Sequence, residues 1–196
     1  MKLSLSLSVA IAVLALAGCD KKQPGADTNA PVAIQQVPPP PGGDWTQSVT
    51  ATPAGGFLMG NPNAKLKLIE YGSLTCPHCR EFDEKGVPTL IGTYIKSGQV
   101  NWEFRNYVRD SFDIAATLIA RCNGPTSFFP LARALYKDQS VWVGKIQAAP
   151  QAQLEAMQNL PPNQQFVQEA QLAGLQQWAA LRGIPEAKAN QCLTDS

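Results

Sequence analysis

The stretch that decides the fold is KLKLIEYGSLTCPHCREFDEK, residues 65–85. Its opening, KLKLIEY (65–71), has the apolar content and boundaries of a strand. Leu66, Leu68 and Glu70 share one face, with Ile69 and Tyr71 on the other. Because its C-terminal end is apolar on both sides, this strand is expected to be central in its sheet. After a short loop, CPHCREFDEK (76–85) reads as a helix start, with Pro77 at the first helical position, where a missing N–H costs nothing.

That placement gives the two cysteines a chemistry. Unpaired N–H groups and a positive partial charge at a helix N-terminus stabilise a thiolate. Cys76 is therefore the expected exposed nucleophile, and Cys79, one turn on, the shielded partner that resolves a mixed disulfide. His78, the only histidine in the chain, adds a positive charge beside Cys76 when protonated. Lowering a thiol pKa from about 8.5 to about 3.5 stabilises the reduced form by roughly 5 kcal/mol at pH 7. For a two-electron couple that is on the order of 100 mV towards oxidising. Glu70 lies six positions before Cys76 on the face of Leu66 and Leu68. Turned inward beneath the helix, it could take and return the proton of Cys79; turned outward, it is a solvated strand-end carboxylate. A metal site built on Cys76, Cys79 and His78 is a competing reading, but a structural zinc needs four ligands and no second histidine exists.

Working downstream, Val87, Leu90, Ile91, Tyr94 and Ile95 recur at amphipathic-helix spacing, and Pro88 divides that helix into two pieces. QVNWEFRNYV (99–108) is a second strand with Val100, Trp102 and Phe104 inward. Strand, helix and strand in this space predict a right-handed βαβ unit with a parallel pair. The remainder reads as helical. DSFDIAATLIARC starts at an Asp110 or Ser111 cap, TSFFPLARALYKD follows, and residues 150–159 form a short helix. A long helix over NQQFVQEAQLAGLQQWAALR carries Leu172, Leu175, Trp178 and Ala179 on one stripe, and a last short one runs from Ile184-Pro185 through Cys192.

Upstream, residues 1–18 have the anatomy of a secretory signal peptide and are too short for a comfortable transmembrane span. They end in Leu16-Ala17-Gly18-Cys19, which resembles the bacterial lipobox. That resemblance implies a lipid on Cys19, and dual acylation gives stable anchoring. Asp20 resembles an inner-membrane retention signal. Residues 19–50, rich in Pro, Gly, Gln and Thr, read as a tether that includes an extended run at Pro38–Pro41. The domain organisation is then signal peptide 1–18, tether 19–50, the first half of an α/β domain at 51–109 and a helical domain at 110–196. With 16 basic and 15 acidic residues and a formal charge of +1, nothing points to nucleic acid. Export places the cysteines in an oxidising compartment. Beyond Cys19, Cys76 and Cys79, the remaining Cys122 and Cys192 are either a second, structural bridge or two buried thiols.

GNPNAKLKLIEYGSLTCPHCREF (60–82) resembles the DsbA family of bacterial extracytoplasmic thiol–disulfide oxidoreductases, and the resemblance extends over about residues 52–193. It implies a thioredoxin-like α/β fold with an inserted helical domain. It also implies a Cys76–Cys79 disulfide passed to reduced or unfolded exported proteins, Glu70 as the buried acid, and reoxidation by a DsbB-like, quinone-linked membrane partner. No cofactor is expected, and the chain is expected to be a periplasmic, lipid-anchored monomer. Family members return to the thioredoxin fold after the helical insertion, through a cis-proline loop and two strands. Only EAKANQCLTDS follows Pro185 here, so the sheet is expected to lack those strands and to keep an open edge. The alternatives are a reductase or isomerase using the same cysteines, a metal-binding module, and an inactive truncated thioredoxin-like lipoprotein.

Overall fold

The computed structural model describes residues 35–195. The signal peptide, the lipobox with Cys19 and the tether up to residue 34 lie outside the described residues.

The sheet is built around the expected parallel pair. Strand β3 (Leu66–Gly72) pairs in parallel with β4 (Val100–Asn106), aligning Leu68 with Trp102 and Glu70 with Phe104. Two further strands, β1 (Val49–Ala51) and β2 (Phe57–Gly60), form an antiparallel hairpin on the far side of β4, giving the order β1-β2-β4-β3. Sequence pattern alone does not reveal the hairpin, because three- and four-residue strands interrupted by Pro and Gly are too short to display a period. Their pairing comes from β4, which supplies a partner for Phe57 in Phe104 and for Met59 in Trp102.

This hairpin corrects the boundary set at residue 50. The chain is already docked by Val37, whose N–H donates to Ser97 O at 2.7 Å, and the Trp45 indole donates to Val37 O at 2.8 Å. A 3-10 turn at Trp45–Gln47 then leads into β1. Gly98, at φ +76°, permits this approach, because a Cβ there would collide with Val37 O and the Trp45 ring. Composition signalled a tether, but one aromatic anchor and strand pairing recruit its last part into the folded body.

The helices are α1 (Pro77–Lys85), α2 (Val87–Thr89), α3 (Ser111–Arg121), α4 (Pro125–Lys137), α5 (Gln139–Gln147), α6 (Gln151–Gln158), α7 (Pro162–Ala173), α8 (Leu175–Ala180) and α9 (Glu186–Thr194). Pro88 divides the crossover as expected, but α2 runs on into a π-helical stretch, Leu90–Ile95, in which Lys96 N–H reaches back to Ile91 O. The wider turn shifts the stripe: Val87 and Ile95 are buried while Tyr94 is exposed. The single long helix expected near the C-terminus is instead two, α7 and α8, because Gly174 takes a left-handed conformation at φ +73°.

One face of the sheet, carrying Phe57, Met59, Trp102 and Phe104, packs against α4 to make the core. Phe57 stacks on Phe128 with centroids 4.3 Å apart, and Trp102 lies 4.6 Å from Phe129. Burying each such ring contributes about 1.5–3 kcal/mol. On the other face, Ile69 and Tyr71 are 43% and 62% exposed, and β3 stands at one edge of the described sheet. The expectation of a central strand is corrected accordingly: within the described sheet, β4 flanks β3 on one side only.

Candidate active site

Strand β3 ends at Gly72, where the chain must pass the Phe104 ring; a Cβ there would collide with the ring and lie 3.0 Å from Glu70 Oε1. Residues 73–76 then turn into α1, with Cys76 as its N-cap and Pro77 in the first turn. His78 is exposed, and Cys76 and Cys79 are half-buried free thiols. The side chain of Cys79 packs against the hydrophobic core.

The two sulfurs sit in opposed environments. Partial burial works against ionisation of Cys76, yet the main-chain amides of Cys79 and His78, the Cys79 thiol and the positive charge of Arg109 together bring its pKa below that of an ordinary thiol. Burial raises that of Cys79, reinforced by the Cys76 sulfur and the charge of Glu70 and only partly offset by the Ser73 amide. Glu70 shares the core face with Leu68 and Phe104. Its Oε2 accepts from the Trp102 indole at 3.0 Å. Burial raises its pKa to about 7 against that hydrogen bond, with the charge of Asp83 adding to the rise. A carboxyl group that titrates near neutrality beside the shielded thiol is suited to proton exchange with it.

The loop between strand and helix is held from the helical segment, by residues that sequence reasoning missed. Asp113 in α3 accepts from Ser73 Oγ at 2.5 Å, from Leu74 N at 2.9 Å and from Arg109 N at 3.1 Å. Tyr136 in α4 donates its hydroxyl to Ser73 O at 3.1 Å. Gln139, at the start of α5, donates its amide to Leu74 O at 2.7 Å and Cys76 O at 3.0 Å. An ion pair from Asp83 in α1 to Arg133 in α4, 3.1 Å long, binds the helix itself to the same segment. The one available signal was Asp113, a carboxylate three residues beyond the Asp110 cap; nothing in the sequence marks Gln139.

Cys122, at the end of α3, and Cys192, in α9, are joined by a disulfide. Cys19 lies outside the described residues. Among the described residues, no three His, Cys, Asp or Glu side chains converge to hold a metal, and no helix is long and apolar enough to cross a membrane.

A family model described as Thioredoxin matches residues 52–195. A solved protein-disulfide isomerase from Novosphingobium aromaticivorans superposes with a TM-score of 0.68 at 33% identity, over 70% of this chain and 70% of that one. Alpha-DsbA1 of Wolbachia pipientis superposes with a TM-score of 0.57 at 26% identity, over 74% of this chain and 62% of that one. A Rickettsia bellii protein carrying the name of a protein-disulfide oxidoreductase is 31% identical over 87 residues, 44% of this chain. The chain spans 34% of the length of that relative.

Proposed function

The chain belongs to the thioredoxin family, and on that premise we propose that it is a DsbA-like thiol–disulfide oxidoreductase that donates the Cys76–Cys79 disulfide to reduced exported proteins. The observation that carries this reading is the opposed pair of thiols at the start of α1, with Cys76 favouring the thiolate and Cys79 the thiol above a buried carboxyl. A stabilised Cys76 thiolate makes the reduced form the lower in free energy, so the bridge tends to be given away.

In the oxidised chain a substrate thiolate attacks the Cys76 sulfur. The new substrate–Cys76 bond forms as the Cys76–Cys79 bond breaks, and Cys79 leaves as a thiolate that takes a proton from Glu70. A second substrate thiolate attacks the substrate sulfur of the mixed disulfide, forming the substrate disulfide and releasing Cys76 as a thiolate. Two electrons have passed from the substrate dithiol to Cys76 and Cys79. A DsbB-like, quinone-linked membrane partner removes them to restore the bridge. The signal peptide and lipobox support an extracytoplasmic, periplasmic location, with the chain anchored through lipid on Cys19 to the inner membrane.

The test is thermal unfolding of the oxidised and the reduced chain, followed by Trp fluorescence, together with the equilibrium constant for exchange with glutathione. An oxidase melts higher when reduced. A higher transition in the oxidised form makes Cys76–Cys79 a staple or a reductant's bridge, and the donor reading falls.

A further inference from the structure

We infer that Gln139 and Asp113 are positioning residues for the reaction, setting the reactivity of Cys76 by holding the main chain of residues 73–76 from the helical segment. This inference rests on the oxidoreductase reading and extends it to two side chains whose hydrogen bonds go to neither sulfur.

Leu74 shows how the hold works. Its N–H is taken by Asp113 from α3 and its C=O by Gln139 from α5, so both polar groups of one fully buried residue are fixed by side chains of two different helices. The same Gln139 amide also reaches Cys76 O, the acceptor of the first main-chain bond of α1 from Arg80 N. Gln139 thus spans the loop and the N-cap with a single nitrogen. Asp113 adds Ser73 Oγ and Arg109 N, joining the loop to the stretch that follows β4. Both side chains are buried, Asp113 fully and Gln139 to 4% exposure, so water cannot readily replace them. Tyr136 completes the set at Ser73 O.

The consequence is chemical as well as structural. The amides that favour the Cys76 thiolate belong to His78 and Cys79, on the first turn of α1, and the Ser73 amide acts on Cys79. Their aim depends on the orientation of the Cys76 N-cap relative to α1. Release of Leu74 O and Cys76 O lets the loop and the helix start move apart, and preorganised dipoles lose their effect when their geometry is loosened.

The test uses the full chain with Gln139→Met, which keeps the volume but removes the donor, and Ser73→Ala, a milder change that removes one bond to Asp113. The pH profile of Cys76 alkylation by iodoacetamide, read on its peptide by mass, reports the thiolate. The exchange equilibrium with glutathione, read on the same peptide, reports the potential, and urea unfolding reports stability. Gln139→Met is expected to move the alkylation profile to higher pH and to shift the glutathione equilibrium about tenfold towards the oxidised chain, the change that accompanies about 1.4 kcal/mol. Ser73→Ala is expected to shift both the same way by less. Variants that lose stability with an unmoved alkylation profile and glutathione equilibrium overturn the inference, because the hold is then only structural. Should Gln139→Met fail to fold, the Ser73→Ala profile decides alone. If the unaltered chain does not exchange with glutathione at all, it is the oxidoreductase reading that fails.

Discussion

Replacing Glu70 by Gln isolates the buried carboxyl group and gives it a measurable sign. Glu70 is half-buried beneath the active-site helix, with one oxygen on the Trp102 indole, and burial raises its pKa from 4.5 to about 7. The folded state therefore keeps a proton that the unfolded chain releases between these two values. Below the lower one the carboxyl is neutral in both states and costs nothing. As pH rises through the window, stability falls, and above about pH 7 the loss levels off at about 3 kcal/mol. A glutamine is neutral throughout, so the variant lacks this loss. The assay is urea unfolding of the oxidised chain at intervals from about pH 4 to about pH 8. In the oxidised form the Cys76 and Cys79 thiols do not titrate, and Asp83 is common to both proteins. The stability difference between Glu70→Gln and the unaltered chain should move by about 3 kcal/mol in favour of the variant across that range. A difference that stays flat would falsify the buried, protonated carboxyl. In the reduced chain the same substitution removes a negative neighbour from Cys79, whose pKa should fall towards the ordinary thiol value. It also removes the base that takes the proton of Cys79, so attack of Cys79 on a mixed disulfide at Cys76 should slow at neutral pH.

Trp102→Phe takes away the hydrogen bond that holds the Glu70 pKa down, so the pH window of stability loss should extend upward, on top of a core penalty of about 1–3 kcal/mol seen at every pH. An unchanged window would show that the indole does not act on the carboxylate. Paired Cys122→Ala and Cys192→Ala changes open a link spanning 70 residues, and the loss of loop-closure entropy predicts a destabilisation of up to about 4 kcal/mol. With Cys76 and Cys79 intact, the glutathione equilibrium should not move; if it does, the second bridge acts on the active site.

How far the sequence could be read depended on the range of the interactions. The strands β3 and β4, the helix start at Pro77 and the Asp110 cap are local patterns written into neighbouring residues, and they appear where expected. The hairpin β1–β2 was not legible because its order comes from β4, some forty residues away. The division of α7 from α8 was not legible because the apolar stripe runs on past Gly174, whose left-handed conformation only the folded chain reveals. In the site, helix spacing placed the paired cysteines, while alternation put Glu70 on the face of Leu66 and Leu68 and left open whether that face turns inward. Gln139 could not be placed, because its partners, Leu74 O and Cys76 O, lie more than sixty positions earlier and main-chain carbonyls leave no residue-type signature.

The asymmetry between the two sulfurs follows from where α1 begins. Its N-terminus opens towards solvent at Cys76, where main-chain amides meet the sulfur, while its first turn carries Cys79 over the sheet face that holds Glu70, Trp102 and Phe104. That face is also the floor on which α4 packs, through the stacking of Phe128 and Phe129 on the sheet aromatics. One buried surface therefore supplies both the cohesion of sheet and helices and the low-dielectric environment that raises the pKa of Cys79 and of Glu70. The helical segment is accordingly part of the candidate site rather than an appendage to it. It closes the floor above Glu70, and through Asp113, Tyr136 and Gln139 it holds the loop that carries Cys76. A change in how these helices pack must then reach both thiols, the exposed one through its loop and the shielded one through its floor.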